Sequence, residues 1–120
     1  MTLVARRLDL WLPPLALMGL IFFLSAQPDL STGLGTWDIV LRKLGHAAVF
    51  GLLCLLWWRA LRHAAPGSRA LAFAWLIAVA YAMTDEWHQT FVTGRHGTPV
   101  DVLIDAAGAS AAVLIAARRS

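Results

Sequence analysis

The sequence predicts an all-α fold: an integral membrane four-helix bundle with both termini on the cytoplasmic side. Three observations carry this expectation. Of 120 residues, 59% are hydrophobic and 14% charged, where a soluble domain has about half and about a quarter; the excess apolar surface needs lipid to cover it. The apolar residues gather into four runs, each close to the roughly 20 residues that a bilayer crossing takes. The basic residues are also unequally shared between the two ends that those runs define. A single domain spanning 1–120 is the natural organisation at this length.

The first helix is expected over about 8–26. It is apolar apart from Asp9, with Pro13 and Pro14 in its first turns, where a missing N–H is tolerated. The second, about 44–61, follows Lys43 and closes on Trp57-Trp58-Arg59. The third, about 70–91, is apolar to Met83 and then turns polar at Thr84-Asp85-Glu86. The fourth, about 100–117, ends at Arg118-Arg119. Turn residues mark the connections at Gln27-Pro28, Pro66-Gly67 and Thr93-Gly94. The lone cysteine, Cys54, lies in an apolar run and reads as a small buried hydrophobe. A cleaved signal peptide at residues 8–26 is disfavoured, because the run is long for a signal core and Leu24 is large for a cleavage site.

With both termini on one side, that side holds seven basic residues: Arg6, Arg7, Arg59, Arg62, Arg69, Arg118 and Arg119. The other holds three, Arg42, Lys43 and Arg95. The positive-inside rule then places the termini in the cytoplasm. Acids run the other way, with Asp9 inside and Asp29, Asp38, Asp85, Glu86, Asp101 and Asp105 outside. Trp11, Trp57 and Trp58 fit an inner aromatic belt, and Trp37 and Trp87 an outer one.

The polar residues gather where the outer ends of three helices would meet. Lys43 and His46 share one face at the start of the second helix. Asp85, Glu86, His88 and Gln89 end the third, and Arg95 and His96 follow in a glycine-flanked loop. Asp101 and Asp105 open the fourth, one turn apart, and Gly108 on the same face would permit close helix approach. Each has a plainer reading. Thr98-Pro99-Val100-Asp101 is a helix start, with Thr98 as N-cap and Asp101 in the capping-box position. Lys43 can snorkel to the interface, His46 can be a packing residue, and Arg95 can form a structural salt bridge with Asp105 or Glu86. Asp105 lies too deep for a cap, and a carboxylate there needs a partner or a task. Glu86, His88, Asp101 and Asp105 could in principle hold a divalent cation, but no metal motif is met, and no metal or cofactor is expected. No catalytic triad order, phosphate loop or nucleic-acid platform is present in the sequence.

Four segments carry a resemblance to a known family. Lys43-Leu-Gly-His46 opens a membrane helix. Asp85-Glu86-Trp-His88-Gln89-Thr-Phe91-Val-Thr-Gly94-Arg95 and Asp101-Val-Leu-Ile-Asp105-Ala-Ala-Gly108 follow, and Ser25-Ala26-Gln27-Pro28 leaves the first helix. Together they resemble the VanZ-like family over nearly the whole chain. One departure is Asp105, where the family commonly has Asn. The resemblance implies a multi-pass protein of the bacterial inner membrane, from a family whose founding member is associated with resistance to teicoplanin, a lipid-tailed glycopeptide.

The expectation is therefore a non-catalytic envelope protein. Its outer cluster of Lys43, His46, Glu86, Gln89, Arg95, Asp101 and Asp105 binds an envelope lipid, a lipid-linked precursor or a lipoglycopeptide head group. Lys43 and Arg95 are expected to meet the anion, and the acids and Gln89 to orient them or accept from a polyol. Two alternatives stand beside it. One is a membrane enzyme on a lipid-linked substrate, with Glu86 or Asp105 as general base and His46 or His88 assisting. The other is a structural protein that acts by assembling with others. Four short helices barely enclose a site, so a homodimer is a further expected partner, and nucleic acid is not.

Overall fold

The computed structural model describes residues 2–25, 36–64, 67–91 and 99–119. They form four helices: α1 (Leu3–Ser25), α2 (Thr36–Leu61), α3 (Gly67–Gln89) and α4 (Pro99–Arg119). The helical architecture is as expected; several boundaries are not. Helix α1 starts at Leu3, so Pro13 and Pro14 lie inside it and not in its first turns. Helix α2 starts at Thr36, which puts Lys43 and His46 about two turns inside the helix. Helix α3 stops at Gln89, and Thr90 and Phe91 form a turn.

Helices α1, α2 and α4 are long and apolar enough to cross a membrane. Helix α3, 23 residues long, falls short of that measure of apolarity. Its apolar stretch runs only from Ala70 to Met83 before Thr84-Asp85-Glu86, and a span takes about 20 apolar residues. It packs against α1, α2 and α4. Its buried apolar residues, Ala70, Ala74, Ala78 and Ala82, recur every fourth position along one stripe. Small side chains there let neighbouring backbones come close. Phe50, Leu53, Cys54 and Trp57 of α2 and Ala109 and Ala112 of α4 complete the core. The large apolar side chains face outward, among them Leu15, Phe23, Leu52, Leu76, Leu103 and Leu114. A buried alanine stripe and many outward-facing large side chains suit a lipid surround, where packing and not water exclusion holds helices together.

Helices α2 and α4 run side by side in the same direction, their first turns at one end of the bundle. Gly108 is the point of closest approach: a Cβ there would overlap the Ala47 backbone carbonyl. Gly51, one turn further along α2, would place a Cβ 3.0 Å from the Gly108 carbonyl oxygen. The close approach expected at Gly108 is thus present, with Ala47 and Gly51 as its counterpart.

Helix α1 is the least enclosed element: among its described residues only Pro14 and Ile21 are buried. Proline explains how it is held. Pro13 has no N–H to offer the Asp9 carbonyl one turn back. Arg59 of α2 takes that carbonyl with Nη1 at 2.7 Å and the Asp9 carboxylate with Nη2 at 2.6 Å. The Tyr81 hydroxyl of α3 donates to the Met18 carbonyl further along α1. Trp57, expected in an interfacial belt, is buried and meets Trp11 edge-on at 5.9 Å.

Candidate functional site: a buried polar cluster at one end of the bundle

The close α2–α4 contact sets the geometry of the polar end. Once Ala47 and Gly108 touch, the preceding turn of α2 faces the two preceding turns of α4. Lys43 Nζ donates to Asp101 Oδ1 at 2.7 Å, across a pair that is partly exposed. One turn deeper, His46 Nδ1 lies 3.4 Å from Asp105 Oδ1. That is long for a hydrogen bond but close for an ion pair. Asp105 itself is 1% exposed, and neither of its carboxylate oxygens has a hydrogen-bond partner among the described residues.

Helix α3 supplies the third wall. Its last two turns bury Asp85, Glu86 and Gln89, at 2%, 5% and 5% exposure. Gln89 Nε2 donates to Asp85 Oδ2 at 3.0 Å, an i, i+4 pair along the helix. The other oxygen, Asp85 Oδ1, is buried with no partner among the described residues. His46, Asp85 and Glu86 each offer a ligand atom within 4.8 Å of the other two. His88 points elsewhere, stacked on Phe22 of α1 at 4.3 Å.

Six of the seven residues expected in the site fall in the described part of the chain. Lys43, His46, Glu86, Gln89, Asp101 and Asp105 all stand at this end of the bundle. The seventh, Arg95, and with it the expected Arg95–Asp105 or Arg95–Glu86 bridge and the Thr98 cap, lies outside the described residues. Asp101 occupies the first turn of α4 as expected, and its carboxylate is also engaged by Lys43. The cation set drawn from the sequence, Glu86, His88, Asp101 and Asp105, is not the one that converges. Asp85 and His46 take the places of His88 and the two α4 aspartates. Asp85 is the residue sequence reasoning left out of the site. Its signal was the spacing to Gln89, one helical turn on and therefore on the same face.

An acid-rich cluster of this kind, partly exposed at Lys43 and buried at Asp105, can accept hydrogen bonds from hydroxyls or amines, or hold a cation. No curated protein and no solved structure matches the chain. Residues 10–119 match the VanZ/LLP1 family, so the match takes in α2, α3, α4 and most of α1. A membrane protein of four helices with its polar residues gathered at one end, this chain belongs to the VanZ/LLP1 family.

Proposed function

We propose that the chain is a bacterial inner-membrane protein with cytoplasmic termini whose outward polar end binds the head group of an envelope lipid, a lipid-linked precursor or a lipoglycopeptide. The observation that carries this reading is the pair of buried carboxylates, Asp85 and Asp105, whose acceptors lack hydrogen-bond partners among the described residues, with only the His46 ring 3.4 Å from Asp105. Unsatisfied acceptors are expensive inside a bundle, and a donor-bearing ligand would satisfy them. Lys43 is held against Asp101, so the described cluster favours a head group rich in hydroxyl or ammonium donors over a bare anion. A contribution to glycopeptide resistance would follow if the bound molecule is the drug or its target.

The test is mass spectrometry of the lipids that co-purify with wild type, Asp105→Asn and Leu114→Ala, a lipid-facing control. One lipid class enriched on wild type and Leu114→Ala, and at least tenfold depleted on Asp105→Asn, is the expected result. The same lipid profile on all three would overturn the reading. A chemically altered lipid would instead favour the enzyme, in which Asp105 beside His46 would orient a base.

A further inference from the structure

We propose that His46, Asp85 and Glu86 form a binding site for one divalent cation of the first transition row, such as Mn2+ or Zn2+. Their three ligand atoms lie within 4.8 Å of one another, one from α2 and two from α3. Ligands held at about 2.0–2.2 Å by a single ion stand up to about 4.4 Å apart, so a small rotamer adjustment completes the set. One imidazole and two carboxylates form a mixed nitrogen and oxygen set, which suits manganese or zinc better than calcium, an ion that takes oxygen alone.

Two further observations point to an ion and not merely to clustered acids. Among the described residues Asp85 Oδ1 is buried with no hydrogen-bond partner, while Gln89 holds Oδ2, so one lone-pair face of this carboxylate is oriented and open to an ion. Asp105 is 1% exposed and its carboxylate stands 3.4 Å from His46 Nδ1. A carboxylate behind a histidine is the usual support of a metal-bound imidazole: it fixes the ring and its proton, and leaves the other nitrogen to the metal.

The electrostatics agree. Asp85 and Glu86 fall in the last two turns of α3, where the helix dipole is negative and disfavours them. Lys43, one turn from His46, is engaged by Asp101. A divalent ion among Asp85, Glu86 and the supporting Asp105 would offset charge that burial otherwise makes costly. With three protein ligands, the ion keeps coordination positions for water or for an oxygen of a bound molecule.

The full chain, purified in detergent, stripped with chelator and titrated with Mn2+, tests this directly. One saturable ion per chain is expected, with modulation from a single imidazole nitrogen in the electron spin-echo spectrum. His46→Gln should remove that modulation, and Glu86→Gln should weaken Mn2+ binding at least tenfold. His63→Gln should change neither. Zn2+ should compete for the same site. Should the variants fail to fold, wild type alone decides: absence of a saturable site, or a bound ion without nitrogen modulation, overturns the proposal. Nitrogen modulation that survives His46→Gln overturns it too. None of these readouts depends on which lipid is bound.

Discussion

The two ends of the bundle handle charge in opposite ways. Where α2 and α4 begin, ionisable groups are drawn between helices: Lys43 to Asp101, His46 to Asp105, and Asp85 and Glu86 into the interior. Where those helices finish, the basic residues stay at the surface. Arg118 and Arg119 are exposed, Arg62 lies over the Trp58 ring at 4.8 Å, and the Arg59–Asp9 pair is open to its surroundings. An exposed charge is satisfied by water or lipid head groups and asks little of its neighbours. A buried one persists only when something compensates it. The difference teaches where to look for function: the basic end needs only an interface, while the polar end needs a ligand, an ion or a finely set network.

The strongest way to break this contrast is to separate α2 from α4. Gly108→Leu inserts a side chain where even a Cβ overlaps the Ala47 carbonyl. It should destabilise the bundle by at least the about 1–3 kcal/mol typical of overpacking, seen as a lower melting temperature in detergent. Loss of Mn2+ binding should accompany it, because His46 moves with α2. Gly51→Ala, with its looser 3.0 Å contact, should be clearly milder.

A finer comparison sets the two ion pairs side by side. Lys43–Asp101 has side chains 41% and 24% exposed, Arg59–Asp9 36% and 54%. A double-mutant cycle on Lys43→Ala and Asp101→Ala should give a coupling near the top of the about 0.2–1 kcal/mol range for solvent-screened pairs. The cycle on Arg59→Ala and Asp9→Ala should fall lower in that range, although the bond from Arg59 to the Asp9 carbonyl survives in Asp9→Ala. If the two couplings are equal, depth in the bundle is not what distinguishes the ends.

Much of this was legible in the sequence because membrane helices announce themselves. The four apolar runs became α1 to α4, and the helical spacing of Lys43 with His46 and of Asp101 with Asp105 set them against each other across the α2–α4 contact. Gly108 was readable as a close approach for the same reason. Boundaries were less legible: the polar flank Thr36–Lys43 continues α2, since nothing in Trp37-Asp38-Ile39-Val40 breaks a helix. Helix α3 falls short of the apolarity that α1, α2 and α4 reach, because its apolar run from Ala70 to Met83 continues into the polar turns that carry Asp85, Glu86 and Gln89. Asp85 was missed because two adjacent acids cannot both be assigned to a face without knowing that α3 packs against three other helices. The partner of the Asp9 carbonyl was beyond reach, lying 50 positions away in sequence.

That carbonyl bears on the order in which the chain is built. Helix α1 emerges from the ribosome first, carrying at Asp9 an acceptor that Pro13 has left open. It stays so until Arg59, at the far end of α2, has been synthesised and brought back alongside. The clasp therefore closes only when the first two helices stand antiparallel with their ends level. Pro13 and Arg59 together thus favour one register of the α1–α2 pair over a pairing slipped by a turn, because only that register gives the Asp9 carbonyl a donor.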